Sequence, residues 1–117
     1  MHVIEADLAE HTAAEEIYSE THKHGLHVEV LVNCAGLGWT SPFIEAPGER
    51  LEDILTVNCI STSGLTHLYA QDMAANNTGR IVLVSSVAAG VPNPNAAVYA
   101  ATKAYQASFA QVSKELI

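Results

Sequence analysis

The chain has 117 residues, room for one domain and not two. Thirteen acidic residues against five basic ones leave a formal charge of −8, which excludes a Lys/Arg-built surface for nucleic-acid backbones or anionic membranes. Apolar residues make up 49% and charged residues 15%, enough apolar surface for a core, and no apolar run nears the ~20 residues of a transmembrane helix. The start, Met1-His2-Val3-Ile4-Glu5-Ala6-Asp7, has no basic n-region and no long apolar stretch, so it does not read as a signal peptide. Cys34 and Cys59 are too few for a disulfide scaffold. Together these point to a reducing, cytoplasmic compartment.

In chain order, His2–Ala6 (HVIEA) reads as a short strand ending at Asp7. Thr12 and Glu15 have the spacing of a capping box, which opens a helix to about Lys23 that Gly25 stops. Val28–Asn33 (VEVLVN) is β-branched and nearly all apolar, the pattern of a strand covered on both faces. It ends in the small-residue turn Cys34-Ala35-Gly36-Leu37-Gly38, and Pro42, Pro47 and Gly48 mark a loop. From Arg50, Leu51, Ile54, Leu55, Asn58, Thr62, Leu65, Tyr69 and Met73 recur along one face of a long helix that Gly79 ends. Arg80–Ser85 (RIVLVS) is a second buried-type strand. After a loop with Gly90, Pro92 and Pro94, Asn95 caps a last helix from about Ala96 to the C-terminus. The order β-α-β-α-β-α predicts a parallel sheet with helices on its faces. In such sheets ligands bind beyond the carboxyl ends of the strands, where Asp7, the Asn33–Gly36 turn and Ser85-Ser86 fall.

Tyr99 and Lys103 stand at i and i+4, neighbours on one helix face roughly 5–6 Å apart at Cβ. A Lys ammonium beside a phenol favours the phenolate, which suits a Tyr to general acid/base work. Alone, the pair arises often by chance. Ser86, thirteen residues before Tyr99, sits at a strand end where its hydroxyl can hydrogen-bond a substrate carbonyl; it can equally well satisfy local backbone groups. Asn58 lies on a largely apolar stripe, so it must find polar partners: neighbouring backbone, or a water or Lys that it orients.

Taken together, Asn33-Cys34-Ala35-Gly36, Asn58, Ser86 and Tyr99-x-x-x-Lys103, in this order and at this spacing, resemble the short-chain dehydrogenase/reductase family. Val87-Ala88-Ala89-Gly90 and Asp7 fit the same pattern, and the resemblance covers almost the whole chain. It implies part of a doubly wound Rossmann-like domain over residues 1–117. It also implies hydride transfer between NAD or NADP and a carbonyl or alcohol carbon. Tyr99 would then exchange the proton of the substrate oxygen, and Ser86 would bind that oxygen. Lys103 would assist Tyr99 and bond the nicotinamide ribose. Asn58 would hold a water linking Lys103 to solvent. Asp7 would contact the adenine ring, with Asn33, Ala35 and Gly36 lining the cofactor cleft. Homo-oligomerisation through the helices of Leu51–Met73 and Tyr99–Ile117 is also implied.

The sequence departs from the family pattern in two respects. Cys34 stands where the family has a second Asn. No Gly-x-x-x-Gly-x-Gly or Gly-x-Gly-x-x-Gly turn occurs, so the pyrophosphate cradle is missing. The chain therefore reads as an internal segment of a larger fold, without its first two and last strands; alone it is expected to bind dinucleotide poorly or not at all, to be weakly active or inactive, and to leave strands unpaired. The alternative function is a non-catalytic interaction module using the same two helices. The His22-Lys23-His24-Gly25-Leu26-His27 run suggests a metal site only weakly, because nothing completes a compact ligand set; a solvated helix end is the simpler reading. Trp39 and Phe43 fit a substrate pocket or ordinary packing equally well.

Overall fold

The computed structural model describes residues 1–113. Helix α1 spans Ala13–Lys23 and strand β1 Val30–Asn33. Helix α2 (Gly48–Leu55) runs through a six-residue π turn, Thr56–Ser61, into helix α3 (Thr62–Ala75). Strand β2 (Arg80–Leu83) and helix α4 (Ala97–Ser113) follow. The end of the last predicted helix, Lys114–Ile117, lies outside the described residues. Strands β1 and β2 pair in parallel, with Val30 opposite Arg80 and Asn33 opposite Leu83.

The predicted strand His2–Ala6 is not formed. A strand is made by its ladder, and among the described residues the sheet holds only β1 and β2. The segment instead runs beside α1, and a turn from Glu10 N–H to Asp7 O (3.0 Å) leads into the helix. The capping box is also absent. Thr12 has helical backbone angles (φ −90°, ψ −3°), so its hydroxyl does not face the free N–H groups and donates to Glu16 Oε1 at 2.6 Å.

The predicted stop at Gly25 is present. With φ +66° its N–H reaches His22 O and the Leu26 N–H reaches Thr21 O, both at 2.9 Å, a Schellman closure. At the end of α3 the same closure falls on Asn77 (φ +53°) rather than on Gly79. Asn is among the few side chains that tolerate this conformation. Gly79 is required for a different reason. At φ +137° it passes so close to Met73 that a Cβ would overlap that side chain.

The core joins α1 and α3. Ala14, Leu65, Tyr69 and Met73 are buried, with Leu8, Ile17, Val28, Leu31 and Ile81 packed against them. Gly64 permits the close approach, since a Cβ there would meet Ala14 Cβ at 2.9 Å. At the rim, Tyr18 Oη donates to Asp72 Oδ1 (2.8 Å) and His22 Nε2 lies 3.0 Å from Asp72 Oδ2. The hydrogen bond to Asp72, burial and the Asp72 charge together push the Tyr18 phenol above its usual range.

The helical stripe holds at Ile54, Asn58, Thr62, Leu65, Tyr69 and Met73, all buried, but Leu55 is exposed. The sheet faces differ from expectation more strongly. Val30 and Val32 are both more than half exposed, as β1 and β2 are covered on one face only.

Candidate functional site

Because β1 and β2 are parallel, their carboxyl ends lie together, and the site is built there. Asn33, last in β1, accepts at its carbonyl from Val84 N–H (2.9 Å) and donates from Nδ2 to Thr66 Oγ1 on α3 (3.0 Å). The chain then leaves the sheet as the Cys34–Gly38 loop.

The π turn places Asn58 under this loop. Its Oδ1 accepts from Leu37 N–H (2.8 Å), while Nδ2 donates to Leu37 O (2.8 Å) and to Thr102 Oγ1 (2.9 Å). The Asn side chain thus pairs with one backbone residue as a neighbouring strand would. The Thr102 hydroxyl in turn donates to Tyr99 O (2.7 Å). Asn58 is fully buried and ties loop, π turn and α4 into one unit.

Lys103 is buried in that unit. Its Nζ donates to Val84 O (3.1 Å) and to Gln106 Oε1 (3.0 Å), and it lies 5.8 Å from the centre of the Tyr99 ring. Gly36 passes directly over the ammonium, where an added Cβ would meet Nζ at 3.1 Å. Gly38 lies over Tyr99, where a Cβ would meet the ring at 3.2 Å. Both glycines of the turn are needed for close approach to the Tyr–Lys pair.

The structure therefore brings Gly36, Asn58, Tyr99 and Lys103 together, with Asn33 at the strand end that leads into the loop. Ser86 stands at the end of β2, but its Oγ accepts from Ala88 N–H (3.2 Å), capping the 3-10 turn Val87–Gly90, which packs against α4. The predicted cap at Asn95 is replaced by Asn93, whose Oδ1 accepts from Asn95 N–H (3.2 Å) and leads into α4 through a second 3-10 turn, Pro94–Ala96. Asp7 is exposed, with Oδ1 bonded to Ala9 N–H (2.9 Å). Its neighbour Leu8 is pinned to the π turn by Ser61 Oγ (2.7 Å) and lines a cavity of about 190 Å³ with Asn33, Cys34 and Ala35. On the other side of Tyr99, Gly38, Trp39, Thr40 and Ala96 line a cavity of about 370 Å³. Phe43 begins an exposed 3-10 turn and does not line it.

Two residues that sequence reasoning passed over, Thr102 and Gln106, and one it placed only at a strand end, Ser85, carry much of this geometry. Gln106 lies between Lys103 and the Asn58 carbonyl, Thr102 links Asn58 to Tyr99 O, and Ser85 Oγ donates to Lys103 O (2.7 Å). Spacing offers a signal for two of them. Thr102 and Gln106 follow Tyr99 and Lys103 by three positions each, on the inward face of a helix whose exposed side carries Tyr105. Cys34 is exposed and Cys59 half-buried, and burial pushes the Cys59 thiol up. His24 pairs with Glu20 (3.0 Å), and among the described residues no three metal-ligating side chains gather.

A parallel α/β scaffold with its polar residues gathered beyond the strand ends defines a partial Rossmann-like fold. The chain belongs to the short chain dehydrogenase family, whose pattern it matches over residues 1–116. A very-long-chain 3-oxoacyl-CoA reductase of Laccaria bicolor is 36% identical over 90 residues, covering 75% of this chain and 27% of that protein. The 3-oxoacyl-[acyl-carrier-protein] reductase MabA of Mycobacterium avium is 31% identical over 97% of this chain and 45% of its own length. Among solved structures, a metagenomic short-chain oxidoreductase in complex with NADP superposes with a TM-score of 0.86 at 27% identity, covering 98% of this chain and 52% of that one. The chain thus spans less than half the length of these curated relatives. No helix among the described residues is long and apolar enough to cross a membrane.

Proposed function

We propose that residues 1–117 form part of an NAD(P)-binding domain and carry the proton-handling site of an oxidoreductase that interconverts a carbonyl and a secondary alcohol. The observation that carries this reading is the buried Lys103 ammonium held beside Tyr99 under a glycine turn. The donor set fits the ribose end of a nicotinamide dinucleotide. A Lys ammonium has three N–H donors, and two are engaged here, by Val84 O and Gln106 Oε1. The third suits a ribose hydroxyl, and Gly36 leaves room for close approach. Asn33 and Ala35 border the cavity beside Leu8, and Asp7 would reach the adenine end from the same segment.

When bound, the nicotinamide supplies or accepts the hydride. The protein's part is the proton. Tyr99 Oη gives it to the substrate oxygen in reduction and takes it back in oxidation. The Lys103 charge steadies the phenolic oxygen as its proton leaves. Ser86 would hold the substrate oxygen once its hydroxyl turns from Ala88 N–H. Trp39 and Gly38 border the space on the open side of Tyr99, where a substrate would enter. The names of the relatives make 3-oxoacyl thioesters the first substrate class to assay, and a cytoplasmic setting accords with this chemistry.

The test is dinucleotide titration by fluorescence, then turnover of a 3-oxoacyl thioester panel followed at the nicotinamide absorbance, with Tyr99→Phe alongside. The variant is expected to bind NADH or NADPH like the parent and to lose turnover by about hundredfold or more. Measurable turnover that is equal in both would overturn the reading. Tyr105 and Phe109 stack on the outer side of α4, beside a groove against α3, which supports the same helices as a self-association face. Sedimentation equilibrium showing a monomer would remove that part of the proposal.

A further inference from the structure

The amide of Gln106 occupies a place that the general chemistry of the site leaves open. Its Oε1 accepts from Lys103 Nζ at 3.0 Å, and its Nε2 donates to the Asn58 carbonyl at 2.8 Å. The side chain is buried. Its orientation is fixed by chemistry: Lys can only donate and a backbone carbonyl can only accept, so a flipped amide would face donor to donor and acceptor to acceptor.

The Asn58 carbonyl can take such a partner because of where it sits. In the π turn the backbone bonds run i→i+5, and a carbonyl there has a second lone pair that a side chain can engage. Thr62 Oγ1 does this for Val57 O (3.3 Å), and Gln106 does it for Asn58 O. Lys103 has a need of its own. A buried ammonium requires hydrogen-bonded partners, and among the described residues it makes no salt bridge. Its partners are two neutral oxygens, Val84 O and Gln106 Oε1. Val84 O alone would leave Nζ free to swing, whereas two acceptors from different elements fix its direction.

We propose that Gln106 is a positioning residue, an amide bridge that aims the Lys103 ammonium beneath Tyr99 and ties it to the Asn58 carbonyl. This rests on the reading of Tyr99 and Lys103 as the proton-handling pair. It goes beyond that reading in naming the side chain that sets the direction of the Lys103 ammonium. Lys103 is then a fixed charge, shielded from exchange with bulk water on the Asn58 side.

Proton exchange at the Lys103 ammonium, read by NMR on lysine labelled with 15N, tests this without dinucleotide or substrate. Lys23, Lys103 and Lys114 are the three lysines, so Lys103→Arg assigns the signal by its loss. The Gln106→Leu variant removes both arms of the bridge and is expected to speed Lys103 exchange by about tenfold or more. Gln106→Glu keeps an acceptor for Nζ and is expected to restore slow exchange. Should Gln106→Leu not fold, Gln106→Met, of equal length and without hydrogen bonds, is read in its place. Exchange unchanged in the Leu or Met variant, or as fast in Gln106→Glu as in Gln106→Leu, overturns the bridge. Because this measurement needs no turnover, its failure leaves the oxidoreductase reading standing, and loss of the Tyr99→Phe effect leaves the bridge standing.

Discussion

Replacing Asn58 with Ala removes three hydrogen bonds at one fully buried side chain. Their losses are unequal. The Leu37 N–H and C=O have no other side-chain partner in the described structure, so both lose their bonds at a half-buried position. Thr102 Oγ1 keeps its bond to Tyr99 O and loses only an incoming donor. A buried group left without a partner costs about 1–3 kcal/mol, with a carbonyl toward the lower end, which puts Asn58→Ala at about 2–4 kcal/mol. Against a net stability of about 5–15 kcal/mol, that is a large fraction. Urea unfolding with an unchanged m-value is the assay, supported by hydrogen exchange at the Leu37 amide, which should quicken in step with the loss of its partner. Asn58→Asp is the informative second variant. It keeps an acceptor for Leu37 N–H and puts a carboxylate oxygen against Leu37 O, so it should lie at least as low as Ala although it is nearly isosteric. A loss below about 1 kcal/mol for Asn58→Ala, with the Leu37 amide unchanged, would refute the idea that this side chain holds the loop.

Gly79→Ala must adopt φ +137° and place its Cβ in the Met73 side chain, so it is expected to lower stability by about 3 kcal/mol or more, read as a urea midpoint shift. The Tyr18 phenol is raised chiefly by its hydrogen bond to Asp72. The folded chain therefore keeps a proton that the unfolded chain releases. This contribution is complete below pH about 10 and is lost as pH climbs through the higher folded value. The parent should accordingly lose stability above pH about 10 more steeply than Tyr18→Phe, and parallel curves would exclude the linkage. Burial raises the Cys59 thiol while Cys34 is exposed, so at pH about 8 a thiol reagent should label Cys34 first, mass spectrometry of the peptides giving the order.

Much of the fold was legible because it rests on local rules. The spacing of Ile54, Asn58, Leu65, Tyr69 and Met73 marked the buried stripe, and Gly25 marked a left-handed closure. What failed was non-local. His2–Ala6 has the side chains of a strand, but a strand exists only through its ladder, and no third strand is present among the described residues. The valines of β1 read as doubly covered, yet coverage depends on what packs above them, and Val30 and Val32 face outward. The capping box failed for a conformational reason, the helical ψ of Thr12, which composition does not encode. The site was legible as a set of residue types. Its construction was not, because Thr102 and Gln106 each join two groups and Ser85 bonds a backbone carbonyl, and such partners have no periodicity.

The π turn shows why those unreadable residues matter. A continuous α-helix from Gly48 to Ala75 would present Asn58 with its carbonyl bonded inside the helix. The six-residue π turn changes the helical register at the point where Asn58 faces the loop. Three side chains then bond there: Asn58 toward Leu37, Thr62 toward Val57 and Gln106 toward Asn58. The Asn58 bonds to Leu37 hold the Cys34–Gly38 loop over Tyr99 and Lys103, so a local change in one helix is tied to the residue pair presented by another. The Thr62 and Gln106 bonds are buried and those to Leu37 part-buried, and on the proposed reading they aim the Lys103 charge, since an ammonium free to swing would meet Tyr99 at no fixed distance.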